Sequence, residues 1–106
     1  MFEFKIDNLN RTISCVFEGR LLIENPDETI KKIVDKVQAL NSDFDSEFSV
    51  VIDLAKVDFI SSSFLRICVA VAKFVGPEKN SVINVSSHVM KIFSVSGLVS
   101  VLNVKQ

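Results

Sequence analysis

The chain contains few residues of several types that mark specialised proteins. Its 106 residues include no tryptophan or tyrosine, three glycines, two prolines, two cysteines and one histidine. The scarcity of glycine goes with the absence of a Gly-rich phosphate-binding loop. Cys15 and Cys68 form no C-x-x-C or Cys/His pattern, so we expect buried, reduced thiols and no metal site. Nothing in the sequence implies a cofactor.

A large net charge of either sign is absent, and so are long apolar runs. Twelve basic and 13 acidic residues give a net charge of −1, which does not provide the basic field of a nucleic-acid-binding protein. No apolar run approaches the roughly 20 residues that span a bilayer, and the N-terminus lacks the pattern of a signal peptide. We therefore expect one cytoplasmic domain over residues 1–106, with no nucleic-acid partner and no direct insertion into a membrane.

Hydrophobic periodicity predicts seven elements in the order β-β-α-β-α-β-α. Strands are expected over residues 2–7, 12–18, 48–54 and 81–85, with Gly19 ending the second strand. Helices are expected to begin at the Asn25-Pro26 cap, at the serines of 61–63, and at Ser86 or Ser87, and to end near residues 40, 75 and 97. Residues 41–47 are predicted to be a solvated loop. Residues 98–104 remain open between a short helix and a last strand.

The distribution of polar residues along the strands indicates the fold class. Strands of a doubly wound sheet are buried on both faces and are almost continuously apolar. The first three strands here keep polar residues on one face instead. We therefore expect an α/β fold with a four- to five-stranded mixed sheet and helices packed mainly on one face.

The most informative segment joins the third strand to the second helix. A β-branched run over residues 50–54 is followed, after Phe59-Ile60, by three consecutive serines that open an apolar helix. Hydroxyls at a helix start cap free backbone N–H groups. The same end carries the positive half of the helix dipole, which favours a phosphate. The serines are therefore either a plain cap or a phosphorylation switch.

This segment and its surroundings resemble the STAS domain, the family of bacterial anti-sigma factor antagonists. The matching residues are Val51-Ile52-Asp53-Leu54, Val57-Asp58-Phe59-Ile60-Ser61-Ser62-Ser63, and Val95-Ser96-Gly97-Leu98 with Val101-Leu102. Element order and length agree with the family over nearly the whole chain. The resemblance implies a STAS-like fold and a regulatory protein that acts by binding other proteins.

The resemblance also implies a specific switch. In phosphorylatable members, a serine of an Asp-Ser-Ser-Gly motif is modified by a partner kinase that is also the anti-sigma factor, and this serine corresponds to Ser62. The unmodified antagonist binds the kinase and frees the sigma factor, the phosphorylated form dissociates, and a phosphatase is a further expected partner. Ser61 and Ser63 are secondary candidates as phosphoacceptor. The chain has Ser61 where the motif has Asp, and Phe64 where it has Gly.

Helical spacing supports a partner-facing surface on the second helix. Ser62, Arg66, Val69 and Lys73 fall on one stripe, in which two cations flank an apolar residue. The alternative is that the cations serve solubility alone. Phe64 is either packed against the sheet or exposed as a binding anchor. The predicted partner-binding residues are Asp58, Ser61, Ser63, Phe64, Arg66, Val69 and Lys73.

The sequence is compatible with one other functional class and argues against a second. The same fold suits a stand-alone STAS subunit of a lipid-trafficking ABC transporter, held permanently by an ATPase subunit without any phosphate. An enzyme is not expected, because a serine hydrolase needs a base beside its nucleophile and usually a G-x-S-x-G elbow. Neither is visible, and the lone His88 is expected to face solvent. The sequence leaves the oligomeric state and the identity of the partner open.

Overall fold

The computed structural model describes residues 2–106, which form a mixed sheet and three α-helices. The elements are β1 (Phe2–Asp7), β2 (Thr12–Leu21), α1 (Pro26–Phe44), β3 (Ser49–Ile60), α2 (Ser62–Val75), β4 (Asn80–Ile83) and α3 (Ser87–Val95). The strand order is β1-β2-β3-β4, with β1 antiparallel to β2 and the other neighbours parallel. The predicted fold class is confirmed. None of the helices in this part of the chain has the length and apolarity needed to cross a membrane.

One face of the sheet is sealed and the other is half exposed. Alternate side chains of β2 and β3 are buried beneath the helices; they are Ile13, Cys15, Phe17, Val50, Ile52 and Leu54. The residues between them, such as Ser14, Val51 and Asp53, are only partly buried. This alternation is the period-two pattern of the sequence, and it places the helices on a single face.

The two cysteines lie in the core between the sheet and α2. Both side chains are fully inaccessible and neither forms a disulfide. Burial disfavours the thiolate, so it raises the pKa of Cys15 to about 12 and raises the pKa of Cys68 as well. Both thiols are therefore protonated at neutral pH and serve as small apolar core groups.

Strands β2 and β3 are longer than the sequence predicted, and this extension positions the serines. Gly19 does not end β2 but lies within it at φ 90°, where the β2–β3 pairing shifts register. Only glycine adopts this φ without strain, so the strand bends and continues. Pairing resumes at Arg20 and Leu21, and β3 consequently runs to Ile60 rather than ending at residue 54.

Helix α1 continues into the segment that was predicted to be a loop. It ends at Phe44, followed by Asp45 in the left-handed conformation at φ 49°. The side-chain oxygen of Asn41 accepts a hydrogen bond from the Phe48 amide at 2.8 Å, and the rings of Phe44 and Phe48 lie 5.6 Å apart. These contacts tie the last turn of α1 to the start of β3. Both contacts are made to Phe48, which lies outside the segment, so the polar composition of residues 41–47 gave no sign of them.

Residues 98–104 form neither a helix nor a last strand. They are a series of turns that end in a single parallel bridge between Val82 and Val104. The Val82 amide donates to the Asn103 carbonyl at 3.1 Å, and the Lys105 amide donates to the Val82 carbonyl at 2.8 Å. This segment therefore covers the outer edge of β4. Strand β4 itself ends at Ile83 instead of residue 85, because Asn84 has a φ of 59°.

Candidate functional site

The three serines occupy the N-cap and the first two positions of α2. Ser62 is exposed, whereas Ser61 and Ser63 are partly buried. The first turn of α2 carries no acidic side chain, so nothing there offsets the positive end of this 14-residue helix. The hydroxyl of Ser62 is consequently accessible and lies in a field that favours a negative group.

Ser61 occupies the N-cap position of α2, but its side chain forms no capping hydrogen bond, so the alternative of a plain cap does not hold for this hydroxyl. Its hydroxyl oxygen is buried and has no hydrogen-bond partner among the described residues. Its carbonyl instead accepts hydrogen bonds from the amides of Phe64 at 3.1 Å and Leu65 at 3.3 Å. At the start of α3, by comparison, the Ser86 hydroxyl accepts from the Val89 amide at 3.2 Å and forms the expected cap. The start of α2 is therefore left without a side-chain cap.

Phe64 points into the core and forms no part of the surface. Its side chain is 0% exposed, and its ring lies edge-on to that of Phe17 with centroids 5.0 Å apart. Phe17 in turn stacks on Phe2 at 4.7 Å. The prediction of Phe64 as a partner-binding residue is therefore wrong, and the alternative of packing against the sheet is confirmed. Turned inward, the ring does not obstruct the approach of a partner to Ser62.

The remaining residues of the predicted stripe lie on the outer side of α2. Arg66 and Lys73 are exposed, while Val69 is half-buried and packs against the core. A guanidinium nitrogen of Arg66 lies 2.8 Å from a carboxylate oxygen of Asp27 in the first turn of α1. Both side chains are more than 60% exposed, so this pair adds little to stability. Arg66 also lies one turn after Ser62 and on the same face of α2.

The extension of β2 and β3 brings to the same end of the sheet several residues that the sequence analysis missed. The guanidinium of Arg20 lies 4.8 Å from the centre of the Phe59 ring, and the exposed His88 ring stacks on Phe59 at 6.4 Å. The Ser61 amide donates to the Leu21 carbonyl at 3.1 Å, which places Leu22 beside the start of α2. No signal along the sequence joins these residues, because Arg20 meets Phe59 through the β2–β3 pairing and His88 meets Phe59 from α3.

Seven accessible residues lie at the end of the sheet where α2 begins, and we call them together the α2-start surface. It comprises Arg20, Leu22, Asp58, Phe59, Ser62, Arg66 and His88. Leu22 is 61% exposed and therefore presents an apolar side chain to solvent. Nowhere in residues 2–106 do three His, Cys, Asp or Glu side chains come together to hold a metal ion. An exposed apolar side chain, two arginines and a free hydroxyl at one end of the sheet are suited to binding another protein.

Comparison with solved structures shows that this chain has a STAS-like fold, the fold of the anti-sigma factor antagonist SpoIIAA. The unphosphorylated form of the anti-sigma factor antagonist SpoIIAA matches with a TM-score of 0.69 and 16% identity, over 100% of this chain and 86% of that chain. The phosphorylated form of SpoIIAA, a Bacillus cell fate determinant, matches with a TM-score of 0.60 and 16% identity, over 92% and 85%. The protein TM1081, solved by NMR, matches with a TM-score of 0.76 and 21% identity, over 98% and 79%.

No protein-family model and no curated protein matches the sequence. At these identities the likeness concerns the fold, which the sequence resemblance had already implied. Function has to be argued from the α2-start surface itself.

Proposed function

We propose that this chain is an anti-sigma factor antagonist-like regulator that exchanges protein partners when Ser62 is phosphorylated. The observation that carries the proposal is the exposed hydroxyl of Ser62 at the first position of an uncapped helix. The fold is shared with SpoIIAA, which has been solved in an unphosphorylated and a phosphorylated form. That likeness supports the comparison of Ser62 with a phosphoacceptor.

A phosphate on Ser62 is compatible with the folded domain. It adds about −1.5 to −2 charges at neutral pH, at a helix end where backbone N–H groups and the dipole favour an anion. Arg66, one turn further along α2, supplies a cation on the same face and can exchange Asp27 for the phosphate. The modification is therefore expected to leave the fold intact.

The same phosphate is unfavourable beneath a docked protein. A partner that covers the α2-start surface removes Ser62 from water, and an unmatched charge desolvated in this way costs several kcal/mol. That cost exceeds the roughly 1–3 kcal/mol of a typical regulatory coupling. Phosphorylation thus promotes dissociation without unfolding.

The proposed partners follow from this scheme. The unmodified form binds an anti-sigma factor with serine kinase activity, and a phosphatase removes the phosphate from Ser62. Leu22 and Phe59 provide apolar contacts, while Arg20 and Arg66 provide charge at the rim. We place the protein in the cytoplasm, where the thiols of Cys15 and Cys68 stay reduced.

Intact-mass measurement tests the phosphorylation step. The protein is incubated with ATP and the kinase-like anti-sigma factor encoded beside its own gene. We expect a mass gain of one phosphate that disappears in Ser62→Ala and persists in the matched control Ser63→Ala. A gain that persists in Ser62→Ala contradicts the assignment. A stable complex with unchanged mass would instead favour permanent binding, as in a transporter subunit.

A further inference from the structure

The outer edge of β1 is open, unlike the other edge of the sheet. Strand β1 pairs with β2 alone, whereas the outer side of β4 is covered by the segment around Val104. Across residues 2–106, no backbone meets the outward N–H and C=O groups of β1. Such groups readily accept a further strand.

Apolar surface lies beside this open edge. The side chains of β1 that point toward the helices are all partly or largely accessible; they are Phe2, Phe4 and Ile6. A shallow groove of about 360 Å³ separates the Phe4 ring from α1, and it is lined by Lys32, Asp35, Lys36 and Ala39. Helix α1 therefore does not seal the β1 side of the core. The unpaired backbone groups and the accessible apolar side chains therefore lie on the same strand, β1.

The charges of β1 distinguish between the ways in which two copies can pair. Copies related by a two-fold axis perpendicular to the sheet pair antiparallel, and opposite residues point to the same face. The axis must then pass midway between one residue and the same residue of the second copy, and the register is centred on that residue. Centring on Phe4 places Glu3 opposite Lys5 twice. Centring on Glu3 places the Glu3 carboxylates of the two copies opposite each other. Centring on Lys5 places the two Lys5 ammonium groups opposite each other and also sets Glu3 opposite Asp7.

We propose that the β1 edge binds a second copy of this chain through antiparallel β1–β1 pairing centred on Phe4. The two sheets join into one, and opposite charges meet across the junction on the open face. On the helix side, Phe2 lies opposite Ile6 of the second copy and the two Phe4 side chains meet. Alternating charges on an edge strand also serve to prevent pairing. Centring on Ile6 would also set opposite charges together, Lys5 against Asp7, but it overlaps the strand only from Lys5 to Asp7. The register centred on Phe4 is complementary over the longer stretch from Phe2 to Ile6.

This dimer leaves the α2-start surface free. Strand β1 covers β2 only from Thr12 to Phe17, whereas Leu22 and Ser62 lie beyond that stretch, past the end of the β2–β3 pairing. Self-association and partner switching are therefore separate properties of the molecule. Failure of one does not imply failure of the other.

Analytical ultracentrifugation of charge-reversed variants tests the proposal. We expect the wild-type protein to approach the mass of two chains as its concentration is raised. Glu3→Lys and Lys5→Glu each place like charges opposite one another and should weaken dimerisation by about tenfold. The double variant E3K/K5E restores opposite charges and should recover the wild-type behaviour.

The matched control is Asp43→Lys, the same change of charge on the exposed last turn of α1. Circular dichroism confirms that each variant is folded. A wild-type protein that stays a single chain at every concentration overturns the proposal. The same holds if Glu3→Lys behaves like Asp43→Lys, or if the double variant does not recover.

Discussion

Replacing Phe64 by alanine is expected to lower the free energy of unfolding by about 3–5 kcal/mol. The ring is fully buried between α2 and the sheet and meets Phe17 edge-on, so its removal leaves a cavity that the surrounding strands cannot close. A domain of ordinary stability has about 5–15 kcal/mol in total, which makes this a large fraction. Urea unfolding followed by circular dichroism measures the loss.

Phe74→Ala is the matched control for this experiment. Phe74 lies near the other end of α2 and is 43% exposed, so its truncation removes much less buried surface. We expect a loss of about 1 kcal/mol or less. Equal losses in the two variants would contradict the inward packing of Phe64 and would indicate that its side chain lies on the surface.

Leu22→Asp is expected to weaken the binding of the kinase partner to the unmodified protein by about 30-fold or more, which corresponds to about 2 kcal/mol of binding free energy. Leu22 offers a large apolar side chain beside the start of α2, and a carboxylate there would have to be desolvated against the partner. Because the side chain is 61% exposed, the free energy of unfolding should hardly change. Isothermal titration calorimetry measures the affinity.

Leu9→Asp serves as the control for Leu22→Asp. Leu9 is 90% exposed in the turn between β1 and β2, at the opposite end of the sheet from Ser62. The same chemical change at that position should leave binding unaltered. If Leu22→Asp binds as tightly as the wild-type protein, the α2-start surface is not the docking surface.

The sequence was informative where structure follows from neighbouring residues. The alternation of β1, the Asn25-Pro26 start of α1 and the Gly76-Pro77 end of α2 are local signals, and each marks a boundary within a residue or two. The face of the sheet that carries helices was also predictable, because burial on one side leaves polar residues at every second position.

Most of the errors arise where contacts between distant segments override a local signal. A glycine such as Gly19 is typical of a strand end, yet pairing with β3 continues β2 beyond this residue. Three consecutive serines are typical of a helix cap, but the hydroxyl of Ser61 is buried and forms no hydrogen bond with the helix amides. Phe64 could face either way on a helix that is apolar nearly all round, and the contact with Phe17 decides it.

The sequence predicted the central residues of the candidate site but not the residues around them. Ser62 and Arg66 lie on one short helical stretch, so their common face follows from helical spacing alone. Leu22 directly follows β2, Phe59 belongs to β3 and His88 belongs to α3. Their placement depends on the extended β2–β3 pairing and on the packing of α3 beside β3, which no local pattern encodes.

The most direct test of partner switching compares the affinity of the unmodified and the Ser62-phosphorylated protein for the same anti-sigma factor kinase. Isothermal titration calorimetry of the two purified forms, with equal thermal unfolding as the check on folding, gives the ratio. We expect the phosphorylated form to bind at least about tenfold more weakly, within the range of a regulatory coupling. Equal affinities of two intact forms would contradict the account.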